Sequence, residues 1–189
     1  MKHDQLRALL AEHVAWDAHE AAALAQVKAL LTTSGTAWSG LWSRETVAPG
    51  HFTTSAVVVS EDGEDVLLIH HAAFGLWLQP GGHVDPGDAS PMAAAMRELE
   101  EETSLRQADV TPLGLVDIDV HDVPDGIKGQ AAHKHYDLRF AFRARTRAVA
   151  ARSDAKDARW FSRSQVVKEG AVDTDGSVRA AVRRLKRLA

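Results

Sequence analysis

Residues 81–105, GGHVDPGDASPMAAAMRELEEETSL, prescribe a local order of loop, turn, cap and helix. Gly81-Gly82 can take backbone conformations closed to other residues and lets a ligand approach the main chain. Asp85-Pro86-Gly87-Asp88 has Pro and Gly where a type II turn wants them. Ser90 supplies an N-cap and Pro91 suits the first helical position. Met92, Ala95, Met96 and Leu99 then recur at i, i+3, i+4 and i+7, which predicts a helix with an apolar stripe. Glu98, Glu101 and Glu102 stand at i, i+3 and i+4, so three carboxylates share a neighbouring face.

That arrangement is a poor way to stabilise a helix. Like charges at i and i+4 cost roughly 0.2–0.5 kcal/mol each. Anions in the C-terminal half also oppose the macrodipole, by roughly 0.3–1 kcal/mol each. Arg97 offsets part of this through Glu101, in the less favourable orientation. A charge run by itself usually marks a solvated face. A bound hard cation would remove the conflict, because Mg²⁺ and Mn²⁺ prefer carboxylate oxygens.

Gly82, Arg97, Glu98, Leu99, Glu101, Glu102 and Leu105 fall on the pattern G-x5-E-x7-R-E-U-x-E-E-x-G-U, with U a bulky apolar residue, and in this the segment resembles the Nudix box. Asp88 stands where the pattern has Glu, one methylene shorter. One extra residue lies between Asp88 and Arg97, near the Ser90 cap, where it leaves the helix register alone. Ser104 replaces a Gly that would stop the helix easily in a left-handed conformation. The resemblance implies a mixed β-sheet between helices, with the box as loop-helix-loop. It implies metal ligation by Glu98, Glu101 and Glu102, joined by the Gly81 carbonyl, and an Arg97 that orients a glutamate. Arg97, Glu98, Glu101 and Glu102 are thus the expected catalytic set, with Mg²⁺ or Mn²⁺ as cofactor. The implied reaction is hydrolysis of a phosphoanhydride in a nucleoside diphosphate linked to another moiety. A catalytically silent domain that senses a nucleotide or metabolite is the alternative, and an interaction protein built on the N-terminal helix a further one. An isomerase of the same fold, which normally uses a catalytic cysteine, is disfavoured because this chain has none.

The 189 residues suit one domain of ordinary size, and 45% apolar residues support a core. A net charge of −4 argues against nucleic-acid binding by bulk electrostatics. The absence of cysteine excludes a disulfide framework and a thiol nucleophile. The charged, interrupted N-terminus predicts no signal peptide, and no apolar run reaches membrane-spanning length. A cytoplasmic protein with a small-molecule partner, without nucleic acid or membrane, is expected.

Residues 3–32 read as a helical segment with Leu6, Leu10, Val14, Leu24, Val27 and Leu31 near helical spacing. Residues 1–45 are expected to form an N-terminal helical extension and 46–189 the Nudix unit. The extension's apolar stripe needs a cover, either a second copy in a homodimer or its own domain. Residues 35–50 are a connector holding Trp38 and Trp42. Strands are predicted at 51–60, 65–70, 113–121, 133–143 and 157–162, with turns between, and a last helix at 178–188. Strands with inserted helices fit α+β or an α/β sandwich.

Along the strand 133–143, His133, His135, Asp137 and Arg139 alternate with Tyr136, Leu138, Phe140 and Phe142. Two imidazoles, a carboxylate and a guanidinium on one face are expected to line a phosphate pocket or supply a base, with His83 joining them. His-x-His-x-Asp also has the ligand types of a transition-metal site. Asp117, Asp119 and His121 repeat the theme on another strand, where a solvent-facing role is favoured. The basic residues Arg179, Arg183, Arg184, Lys186 and Arg187 are expected on a solvated helix.

Overall fold

The computed structural model describes residues 2–33, 40–126 and 129–188. Five α-helices and seven strands follow in the order α1 (Lys2–Glu12), α2 (Ala18–Thr33), β1 (His51–Val59), β2 (Asp65–His71), β3 (Trp77–Leu78), β4 (Gly81–His83), α3 (Pro91–Thr103), β5 (Val110–Val123), β6 (His133–Ala144), β7 (Ala155–Ser162), α4 (Arg163–Val167) and α5 (Gly176–Arg184). The strands make one mixed sheet with β3, β2, β1, β6 and β5 side by side. Strand β4 pairs with β1, and β7 with β2. The helical segment expected over 3–32 is two helices, broken at residues 13–17. Trp38, in the predicted connector, lies outside the described residues. No helix among the described residues is long and apolar enough to cross a membrane.

Strand β1 is buried along its whole length, as expected of a β-branched strand with neighbours on both sides and helices on both faces. It runs parallel to β6, and β6 runs antiparallel to β5. Alternation along these strands sorts two layers. Phe52, Ala56, Val58, Ile118, Tyr136, Leu138, Phe140 and Phe142 form one core with Ala94, Ala95 and Leu99 of α3. Leu6 and Leu10 of α1 and Val27 and Leu30 of α2 belong to that same core. Most of the expected apolar stripe is therefore covered within the chain, while Val14 is 74% exposed. Val57, Val59, Val66, Leu68 and Ala141 face the other way, onto Val178, Ala181 and Val182 of α5.

The second face also carries a buried ionic hub. Arg139, 1% exposed, bonds through each of its five N–H donors: Nε to Asp137, Nη1 to Asp117 and the Ser177 carbonyl, Nη2 to Asp119 and the Ser177 hydroxyl. Asp117 also accepts from Arg184 of α5, whose Nη2 reaches both carboxylate oxygens of Asp17 at 3.1 and 3.0 Å. Glu20 of α2, wholly buried, completes the group. It accepts from the Trp16 and Ile118 amides and bonds the His13 ring at 2.7 Å. Two expectations are corrected here. Arg184 is a core residue rather than part of a solvated basic helix, because its carboxylate partners lie inside. Asp117 and Asp119 face α5 and the hub, not solvent.

Removing one partner of a buried ion pair leaves charge without compensation, at about 3–5 kcal/mol. Arg139→Met should therefore lower unfolding free energy by about that amount in urea denaturation. A loss below about 1 kcal/mol, the size of a surface pair, would contradict the hub's structural role.

Candidate active site and its neighbouring histidine cluster

Helix α3 begins as its sequence dictates. Ser90 Oγ accepts the Ala93 amide at 3.0 Å, and Pro91 occupies the first turn. It ends at Ser104, which takes the left-handed conformation (φ 65°) where the box pattern has Gly. The pattern's geometry is thus kept by a residue that adopts it at some cost. Pro91, Ala94, Ala95 and Leu99 are buried, and Glu102, 3% exposed, emerges on that same side. The three acids are graded rather than equivalent: the Glu98 side chain is 15% exposed and that of Glu101 50%.

Strand β4 brings Gly81 and Gly82 against this helix. The Gly81 amide donates to Glu102 Oε2 at 2.9 Å. A Cβ on Gly82 would lie 2.6 Å from the Glu98 carboxylate, and one on Gly81 2.6 Å from Ser55 Oγ and 2.7 Å from the Thr54 carbonyl. The expected loop is a paired strand, and neither glycine has positive φ. Their function here is to leave room, with carboxylate on one side and β1 on the other.

Arg97 holds the arrangement. Its Nε and Nη2 donate to the two oxygens of Asp88, both at 3.1 Å, so the shorter side chain still reaches as a bidentate partner. Nη2 also donates to the His83 carbonyl at 2.8 Å, and Nη1 to Glu98 at 2.9 Å and Glu101 at 3.4 Å. Its Asp88 hydrogen bonds outweigh burial and hold the guanidinium above its ordinary pKa. Burial pushes the Glu98 carboxyl up, against the opposing pull of Arg97.

Of the remaining sequence-predicted residues, His83, His135 and Asp137 help to line a cavity of about 180 Å³ together with Gly81 and Gly82. Asp137 is 2% exposed and accepts from Thr53, Ser55 and Arg139. Arg139 lines the larger cavity instead, with its five N–H groups taken by three aspartates and Ser177. His133 is buried behind the cavity wall. Strand register explains the grouping. His51, His135 and His121 form one cross-strand row, and Thr53, Asp137 and Asp119 the next. His51, Thr53 and Ser55 escaped the sequence reading. Their signal is alternation on β1, which becomes informative only once β1 is placed beside β6. A second cavity of about 640 Å³ shares Phe74, Leu78, Gln79 and His121 with the first.

The layered mixed sheet and the clamped acidic helix define a Nudix-type domain. The NUDIX domain profile matches residues 49–182. The chain belongs to the Nudix family. It is 37% identical over 59 residues to a putative 8-oxo-dGTP diphosphatase of Bacillus subtilis (31% of this chain, 39% of the relative). It is 42% identical over 62 residues to an RNA pyrophosphohydrolase of Rhodopseudomonas palustris (32% of this chain, 34% of the relative). The chain thus matches under half the length of these relatives. Among solved structures, the E. coli dihydroneopterin triphosphate pyrophosphohydrolase is similar with a TM-score of 0.57 at 18% identity, over 73% of this chain and 96% of that one. The NUDIX domain of Shewanella oneidensis NrtR, complexed with ADP ribose, gives 0.54 at 16% identity, over 86% and 97%.

Gly82→Ala and Gly81→Ala should separate two effects. The Gly82 methyl meets the movable end of Glu98, so activity should fall steeply with little change in thermal midpoint. The Gly81 methyl meets the Thr54 backbone, so the protein itself should lose stability, by about 1–3 kcal/mol for overpacking. Equal midpoints for both variants would contradict this division.

His135 gives a pH signature. Burial, with the charges of neighbouring histidines, holds its pKa far below the ordinary range, to about 2. The folded protein refuses a proton that the unfolded chain accepts below about pH 6.5. Its contribution is complete above that pH and declines as pH falls, by about 2 kcal/mol between pH 6.5 and pH 5. Urea denaturation in EDTA should show this decline, and His135→Gln should flatten it; identical slopes would show that His135 is not the group responsible.

Proposed function

We propose that the protein is a cation-dependent pyrophosphohydrolase that cleaves a phosphoanhydride in a nucleoside diphosphate linked to another moiety, in the cytoplasm. The observation that carries this reading is the convergence of Glu98 and Glu102 on the Gly81-Gly82 strand, with Arg97 locked to Asp88 and pointing at Glu98. The donor set fits Mg²⁺ or Mn²⁺: it is all carboxylate oxygen, partly sheltered, beside a strand whose backbone is approachable. Glu98, Glu101 and Glu102 would hold the cation, with the Gly81 carbonyl as a further ligand. When bound, it supplies charge neutralisation on the phosphates and a water of lowered pKa.

The chain's own residues do the rest. Arg97, bound to Asp88 and to the His83 carbonyl, keeps Glu98 in one rotamer, which the space above Gly82 requires. Glu101, the most exposed of the three, is free to reorganise as substrate arrives. His83, His135 and Asp137 line the adjoining cavity, where neutral imidazoles can donate hydrogen bonds to phosphate oxygens. Phe74, 45% exposed and common to both cavities, offers a face on which a base can stack. The diphosphatase and pyrophosphohydrolase names of the two sequence relatives support phosphoanhydride chemistry.

A panel of nucleoside diphosphate derivatives and triphosphates, assayed with Mg²⁺ and with product identification, tests the reading. Hydrolysis should stop in EDTA. Glu98→Gln and Glu102→Gln should each lower kcat by about 10²–10³, the range for losing one electrostatic stabiliser, with the fold retained by circular dichroism. Saturable nucleotide binding without turnover under every metal would favour the sensor reading instead.

A further inference from the structure

On the face of the sheet opposite α3, five imidazoles crowd together. The His51 ring centroid lies 5.0 Å from that of His83, 4.9 Å from that of His133 and 4.9 Å from that of His135. His83 and His121 lie 5.5 and 5.4 Å from His135. Of these rings, His51 and His133 are buried, His83 and His135 are half-buried and His121 is exposed. Three of them present ring nitrogens that all lie within 4.8 Å of one another: His51, His133 and His135.

Their outer hydrogen bonds fix which nitrogens face inward. His51 Nδ1 donates to the Thr46 carbonyl at 2.9 Å, and His133 Nδ1 to the Ala131 carbonyl at 2.7 Å. In both rings the proton therefore sits on Nδ1, and Nε2 carries a lone pair. A carbonyl on the far nitrogen is the arrangement that orients metal-ligating histidines. His133 Nε2 and His135 Nε2 are 3.1 Å apart. His51 is 0% exposed, and its Nε2 is buried with no hydrogen-bond partner. A buried imidazole lone pair left unmatched is unfavourable unless something binds it.

We propose that His51, His133 and His135 form a transition-metal site for Zn²⁺ or a similar imidazole-preferring ion, separate from the carboxylates of α3. Metal–nitrogen bonds of about 2.0–2.1 Å put tetrahedral ligands about 3.3 Å apart. One pair already meets that spacing, and modest ring rotations bring in the third. When the metal binds, the neutral His135 ring changes tautomer: Nε2 gives up its proton and Nδ1 gains one, which frees the Nε2 lone pair. Three histidines leave one coordination position open, as in catalytic zinc sites. Since His135 is the member that lines the cavity, the open position faces the cavity shared with Gly81 and Gly82. Water or a phosphate oxygen would fill it. Nitrogen donors discriminate against Mg²⁺, so the two sites hold different metals in one solution.

The test does not use activity. Untagged protein is stripped with chelator, returned to buffer with excess Mg²⁺, and titrated with Co²⁺ and then Zn²⁺. Co²⁺ should bind in one equivalent with the visible absorption of a low-coordinate nitrogen site, and Zn²⁺ should displace it. The triple variant Glu98→Gln, Glu101→Gln, Glu102→Gln should bind as wild type. His135→Ala, at the cavity wall, and His133→Asn should each weaken Zn²⁺ by more than the roughly 10–100-fold that an outer-shell change costs. X-ray absorption of the Zn²⁺-loaded wild type needs no variant and should show an imidazole-nitrogen shell. Absence of a bound equivalent, an all-oxygen shell, or loss of binding in the glutamate variant would each overturn the proposal.

Discussion

The Arg139 guanidinium, enclosed by Asp117, Asp119 and Asp137, is the interaction on which the rest of this protein is arranged. Burial opposes its charge, yet the three carboxylates hold it well above its ordinary pKa. Conversely, burial disfavours a charged Asp119, but hydrogen bonds from His121 and the charge of Arg139 hold it ionised well below the usual range. One cation thus fixes neighbouring residues of β5 and β6 and, through Ser177, the start of α5. A slip of one residue between β5 and β6 would turn Asp117 and Asp119 away from Arg139, toward the apolar face. The hub therefore specifies register as much as it stabilises, and the row of histidines one rung along inherits that register.

The acidic helix depends on a smaller device of the same kind. Arg97 ties together the turn before the helix, the end of β4 and two of the box acids. Its Asp88 contact reaches across nine residues of sequence. Because β4 has no side chains at Gly81 and Gly82, the carboxylates on one face and the histidines on the other are separated by backbone alone.

What the sequence disclosed and what it withheld divide along the range of the interactions. The cap at Ser90, the register of α3 and the placing of Glu98 and Glu102 are set within a few residues and could be read directly. Strands β1, β2, β5, β6 and β7 announced themselves by alternation and β-branched composition. The role of Gly81-Gly82 was read as conformational freedom, whereas the structure uses the absence of a Cβ. That distinction needs a neighbour, Glu98 or Thr54, to become visible. Arg184 looked like one cation among several on a basic helix, since nothing local reveals that Asp117 lies opposite. His51 was silent for the same reason. Its meaning comes from parallel pairing with β6, some 84 residues away in the register that sets His51 beside His135.

The joining of Asp17 and Glu20 to Arg184 has a consequence in time. Asp17 and Arg184 are 167 residues apart, so this contact is among the longest-range in the fold. The strands can pair, and Arg139 can meet its aspartates, before α5 docks. Helix α2 must then wait, with Glu20 offered to the Ile118 amide but without its arginine. Only when α5 docks does the second cation arrive, and α2 and α5 lock to β5 together. Contacts of such separation fold slowly and leave their apolar surfaces open meanwhile. Until α5 docks, the sheet face that carries Val57, Val59 and Leu68 lacks its cover.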